Sequence, residues 1–133
     1  GFEDDRVKAW IPLAPGDHTL FGEGGLGALN APVLLQTGSV DPRTGDSSAP
    51  YWEALGGDDR HLHLEITGGG HQTFTDFSGT LEDPEGLIEA EPGWTIVKAV
   101  TLAFARRHGL QDESVQPVLE GEITWTDAMV WVP

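Results

Sequence analysis

Three stretches of the chain have the apolar content of strands. Residues 7–14, VKAWIPLA, are almost continuously apolar and stop at Pro15 and Gly16. Such a run predicts a strand covered on both faces, as in a parallel sheet. Residues 31–38, APVLLQTG, show the same pattern more cleanly, with Pro32 tolerated at the start of the strand. Residues 60–67 alternate instead, with Leu62, Leu64 and Ile66 on one face and His61 and His63 on the other, the period of two that marks a strand.

The segments between them read as loops and helices. Glycines at 22, 24, 25 and 27 make residues 19–30 a connecting loop, and without a lysine followed by Ser or Thr it is not a phosphate loop. Ser47 or Ser48 can cap a helix with Pro50 in its first turn, running through Tyr51, Trp52 and Leu55 to a stop at Gly56 and Gly57. Residues 80–91 are acidic and turn-rich. A second helix is predicted over 94–108, opened by Pro92 or Gly93, with Ile96, Val97, Val100, Thr101 and Phe104 along one stripe. Arg106, Arg107 and His108 suit its carboxyl end, and Gly109 is the expected stop. After a polar linker, residues 118–133 alternate again through Leu119, Ile123, Trp125, Met129, Val130, Trp131 and Val132. Tryptophans so placed cover a core edge or an interface, or form a platform for a sugar ring.

The order strand, loop, strand, helix, strand, helix predicts an α/β fold of three parallel strands with flanking helices. Residues 1–110 would form this unit, and residues 111–133 a carboxyl-terminal extension with a short aromatic strand-like segment. A three-stranded sheet of this kind leaves an apolar edge unpaired. The expectation is that another chain, or a missing amino-terminal part of the precursor, completes the sheet.

Composition adds a charge argument. With 38% hydrophobic residues in 133, the chain is an ordinary globular domain by composition. Its 22 acidic residues face only 7 basic ones, for a net charge of −15. Self-repulsion of that size is screened within about 10 Å at 0.1 M salt, so the surface suits a salty medium. Nucleic acid and anionic membranes are disfavoured as partners. Cysteine is absent, which excludes disulfides, thiolate metal sites and a cysteine nucleophile. No apolar run approaches the roughly 20 residues of a membrane span. The acidic start GFEDDR is the reverse of a signal-peptide start. Localisation stays open, a secreted or periplasmic setting being the better fit.

Candidate chemistry gathers where these strands end. Open parallel sheets place ligands and catalytic groups beyond the carboxyl ends of their strands. Asp17 and His18 follow the first strand, Asp41 the second, and His71 the third, after Gly68, Gly69 and Gly70. His61 and His63, two apart on one strand face, could grip a metal in principle. No third ligand stands at a matching spacing, so no metal is expected and both read as surface-facing strand residues. Ser39, Ser47, Ser48 and Ser78 read as turn and capping residues.

Two of these stretches resemble a known family. APVLLQTGSVDPRT is similar to the segment of α/β-hydrolases that ends in the catalytic acid, and LEITGGGHQTFTDF to the segment that ends in the catalytic histidine. Over residues 7–110 the chain looks like dienelactone-hydrolase-like, cutinase-like polyester hydrolase and platelet-activating-factor-acetylhydrolase-like enzymes. The resemblance implies a general base at His71 and a supporting carboxylate at Asp41, with Asp17 as the alternative acid. It implies substrate-pocket positions at Trp10, His18 and Phe74, no cofactor, and a small-molecule or polymeric ester as substrate. No G-x-S-x-G occurs in the chain. In that fold the nucleophile elbow and the oxyanion donors lie upstream, so the resemblance is to the carboxyl-terminal half. It implies a companion polypeptide that carries the serine, from a precursor cut into two chains that stay assembled. A degenerate hydrolase that binds a ligand or partner is the other reading.

Overall fold

In the computed structural model, which describes residues 4–22, 24–77, 80 and 84–133, helices cover both faces of a small mixed sheet. Strands β1 (Leu34–Gly38) and β2 (Leu62–Ile66) are parallel, with Leu34 opposite Leu62 and Gly38 opposite Ile66. Strand β3 (Met129–Val132) lies antiparallel on the far side of β2, Met129 opposite Ile66. Helix α1 spans Ser48–Leu55, α2 spans Ala90–Leu110 and α3 spans Gln116–Leu119.

Alternation along the strands sorts side chains into two cores. Leu34, Leu64 and Ile66 pack with Ile96, Val97, Val100 and Phe104 of α2, and Met129 joins them from β3. Val33 and Leu35 point the other way, onto Leu26 and onto Tyr51 and Leu55 of α1. Leu34 and Leu35 are both fully buried, which is why this stretch of sequence shows no polar alternation. Each such leucine stabilises the fold by roughly 1.5–3 kcal/mol relative to exposure.

The expectation of three parallel strands is corrected in two ways. Residues 7–14 do run parallel beside β1, through Trp10 N to Pro32 O at 2.9 Å, Leu34 N to Trp10 O at 2.9 Å, Gln36 N to Pro12 O at 3.0 Å and Ala14 N to Gln36 O at 2.8 Å. They form only two separate bridges, Trp10 with Val33 and Leu13 with Gln36. Pro12 sits between them and has no N–H to give, so a rung of the ladder is missing. The third full strand is instead β3, and it is antiparallel. α2 starts beside Thr73 at the carboxyl end of β2, where a Cβ on Gly93 would come within 2.9 Å of the Thr73 methyl. Residues 111–128 then return the chain to that same end, where Thr67 N donates to Ala128 O at 2.8 Å. From there the last strand can only run down β2.

Smaller expectations also shift. α2 begins at Ala90 rather than 94, because Pro92 falls in the first turn, where N–H groups have no partner inside the helix. Gly109 lies within the helix, and the left-handed residue after it is Gln111, at φ 57°. α1 ends at Gly56 as expected, but Ser47 makes no capping bond, and Ser48 Oγ donates to Thr44 O at 3.3 Å instead. His61 and His63 are not surface residues: they are 6% and 5% exposed, because α1 closes their face of the sheet. His61 Nδ1 accepts from Val33 N at 3.2 Å, His63 Nε2 pairs with Thr37 Oγ1 at 2.8 Å, and the Trp52 ring lies 5.3 Å from the His63 ring. Burial pushes the His63 imidazole down to about 4, so it is neutral at pH 7. No described helix is long and apolar enough to cross a membrane.

Candidate functional site

β1 and β2 end side by side, and glycines let their outgoing loops touch. A Cβ on Gly38 would lie 2.1 Å from the Gly69 carbonyl oxygen, so only hydrogen fits between the two backbones. Three hydrogen bonds lace the loops: Ser39 N to Ile66 O at 3.1 Å, Val40 N to Gly69 O at 3.0 Å, and Gly68 N to Ser39 Oγ at 2.9 Å. Gly68 turns the chain at φ 76°, a conformation that favours glycine. Asp41 stands two residues beyond Ser39, and His71 two residues beyond Gly69. The lacing therefore delivers both to one place.

Asp41 is held on every side. Its Oδ1 accepts from Arg43 N at 2.8 Å and Thr44 N at 3.0 Å, and its Oδ2 accepts from Thr44 Oγ1 at 2.5 Å and from His71 Nδ1 at 3.0 Å. Burial pushes the Asp41 carboxyl up, but the hydrogen bonds from Thr44, Arg43 and His71 outweigh it and hold it below the usual carboxylate range. An ionised carboxylate can only accept, so the hydrogen of this contact sits on His71 Nδ1. That fixes the tautomer and leaves Nε2 as an acceptor. His71 Nε2 has no hydrogen-bond partner among the described residues, and the side chain is 28% exposed against 1% for Asp41.

His71 opens a 3-10 turn, His71–Phe74, that is pinned from below. Gly70 N donates to Thr73 Oγ1 at 3.0 Å, and Thr73 and Phe74 are buried under the first turn of α2. Phe74 belongs to the core on that side, packed with residues of α2, rather than to an open surface.

The other sequence-derived candidates lie apart from this pair. Asp17 is the N-cap of a 3-10 turn, His18–Phe21, and accepts from Thr19 N at 2.8 Å. Its bonds to the Thr19 backbone and hydroxyl hold its carboxyl below the usual range, and among the described residues it has an ion-pair neighbour in His18, at 3.8 Å. No described contact joins it to His71. Trp10 lines a groove of about 560 Å³ with Phe21, Leu29 and Pro32, at the amino end of β1, the opposite end of the sheet from His71. His18 lines a second hollow with Leu26 and Ala54. No described serine hydroxyl bonds to His71: Ser39 Oγ is taken by Gly68 N, and Ser78 lies outside the described residues. No group of three or more His, Cys, Asp or Glu that could hold a metal ion occurs among the described residues.

Sequence reasoning overlooked Thr44. Its hydroxyl shares an acceptor oxygen with His71, and the signal was present in the D-x-x-T spacing, which lets a Thr hydroxyl fold back on an Asp three residues earlier.

No protein-family model matches the chain. No curated protein sequence matches it either. Among solved structures, the ferulic acid esterase from Streptomyces cinnamoneus is similar, at 25% identity and a TM-score of 0.69, covering 98% of this chain and 41% of that one. The chain thus has a hydrolase-like α/β fold and spans less than half the length of that esterase.

Proposed function

We propose that this chain supplies the general base and the supporting acid of a serine ester hydrolase, with the nucleophilic serine carried by polypeptide outside these 133 residues. The observation that carries the reading is the 3.0 Å bond between His71 Nδ1 and a buried, ionised Asp41. His71 Nε2 takes the proton of the serine hydroxyl as Oγ attacks the ester carbonyl. Asp41 stabilises the imidazolium that results, and Nε2 returns the proton to the leaving alkoxide. A water molecule then takes the place of the alcohol, and the same histidine activates it to release the acid. Protein groups suffice for each step, so no cofactor enters.

Three further observations support the assembly. No G-x-S-x-G is present in the sequence. The similar esterase is more than twice as long as the part this chain matches. The backbone N–H groups of Ile11 and Leu13 point away from β1 and have no partner among the described residues. An edge of that kind accepts another strand. The companion is accordingly a polypeptide that pairs along residues 7–14 and presents a serine to His71, whether a separate chain or the preceding part of the same precursor. An ester, small or polymeric, is the substrate class.

Native and denaturing mass spectrometry of the protein as isolated, after treatment with a fluorophosphonate serine probe, tests this. The proposal requires the label on a serine of polypeptide joined to or assembled with this chain. A folded 133-residue chain found alone and unlabelled would instead favour a degenerate hydrolase with a binding role.

A further inference from the structure

Asp41 Oδ2 receives two hydrogens at once, one from Thr44 Oγ1 at 2.5 Å and one from His71 Nδ1 at 3.0 Å, whereas both bonds to Oδ1 come from backbone N–H groups. The two oxygens are thus held differently. The Oδ1 bonds belong to the turn backbone and do not depend on the Thr44 hydroxyl. Among the described residues the Thr44 hydroxyl is the one side-chain group other than His71 that bonds to the carboxylate, and it bonds to the oxygen that faces the imidazole. Thr44 is only 9% exposed, so little water competes for this bond.

We propose that Thr44 is a positioning residue that moderates the basicity of His71 by sharing Asp41 Oδ2 with it. A hydroxyl donated to Oδ2 draws negative charge from the atom that would stabilise the imidazolium. The carboxylate then stabilises the imidazolium less than one whose Oδ2 faced His71 alone. The hydroxyl also stops the carboxylate from turning toward its other donors, so the 3.0 Å bond to His71 keeps its direction.

His71 is surrounded by few competing charges. Asp41 is its one ion-pair partner among the described residues. Among the described residues the other charged side chains on the neighbouring segments are Arg43 and Asp46 on the Asp41 turn, Asp76 beyond the His71 turn, Glu85 on the segment that bonds to Gly68, and Glu89 and Glu91 where α2 packs on that turn. All are unchanged by substitution at Thr44, so a difference between variants reports the shared oxygen.

The role as positioning residue rests on the hydrolase reading, but the charge effect can be measured without it. The His71 ring is titrated by NMR in the full protein carrying Thr44, Thr44→Val or Thr44→Ser. Valine keeps the shape and removes the hydroxyl, and should raise the His71 midpoint by about half a unit to one unit, roughly three- to tenfold in proton affinity. Serine restores the hydroxyl and should return the midpoint to that of the parent. The acidic limb of the kcat/KM profile for ester hydrolysis should move upward with the valine variant in the same way. An unchanged or lowered midpoint in a folded Thr44→Val protein overturns the proposal. Thr44→Ala, with the same expected shift, serves if valine disturbs the turn; loss of the fold in both would make Thr44 a structural residue and equally overturn it. A raised midpoint without any serine labelling would keep the charge effect and sink the hydrolase reading. Labelling with an unmoved midpoint would do the reverse.

Discussion

The carboxyl end of the sheet and its first edge are built to opposite standards. At the carboxyl end, two backbones touch through Gly38 and Gly69, three bonds lace their loops, and Asp41 has its acceptor sites filled. Along the first edge, Pro12 breaks the ladder, and Val7, Leu13 and Phe21 are 37%, 38% and 40% exposed. One region is closely tied and the other is open. The difference teaches that the contact between His71 and Asp41 is made within this chain, whereas the edge along residues 7–14 is where the proposed companion would pair.

Substitutions that cut into the finished region should cost most. Gly38→Ala places a methyl where 2.1 Å separates it from the Gly69 oxygen. The strand ends must part, and denaturant unfolding should show a loss of about 2–4 kcal/mol, from overpacking against backbone that cannot move aside. A loss under about 0.5 kcal/mol would mean that the two loops are not locked.

Acid should act next, through a buried histidine lower on β2. His63 falls from 6.5 to about 4 in the folded protein because of burial. The unfolded chain therefore takes up that proton first, and stability is complete above about pH 6.5 and declines as pH falls toward 4, by up to about 3 kcal/mol. Asp41, held below the usual carboxylate range, adds a further loss in the same direction at lower pH. His63→Gln should flatten the upper part of this slope in pH-dependent unfolding. An unchanged slope would assign the acid sensitivity elsewhere.

Ser39→Ala removes the acceptor of Gly68 N while leaving the other two lacing bonds. The expected cost is about 1 kcal/mol of stability, with slower ester hydrolysis because Asp41 and His71 lose one of their ties. Equal activity in the variant would show that the backbone bonds suffice. On the unfinished side, Leu13→Lys should change the stability of this chain by no more than about 0.5 kcal/mol, since the residue is 38% exposed. It should nonetheless weaken assembly with the proposed companion, because a charge on an open edge discourages strand pairing. Native mass spectrometry distinguishes the two effects, and an assembly indifferent to this lysine would place the companion elsewhere.

What the sequence made legible follows the locality of each signal. The exits of β1 and β2, marked by Gly38 and by Gly68 to Gly70 after apolar runs, are short-range patterns, and they placed Asp41 and His71 at the same rim. The direction of β3 was not legible, because it depends on a return path through residues 111–128 that no local period encodes. Pro12 was visible, yet its effect depends on which neighbour the segment pairs with. The burial of His61 and His63 depends on α1 covering their face, a tertiary fact. The resemblance implies a pocket position for Trp10, but it sits near the amino end of β1, opposite Val33, since only the pairing register decides which end of the sheet it reaches. The Thr44 hydroxyl is legible in D-x-x-T as a partner of Asp41, but which carboxylate oxygen it takes is set only by the folded turn.

The measurement that tests the central claim most directly is kcat/KM for ester hydrolysis by the assembled protein with His71→Ala and with Asp41→Asn. The account predicts a fall of about 10⁴-fold or more in each, with folding and assembly unchanged. Full activity in either folded, assembled variant would contradict the assignment of this pair as base and acid.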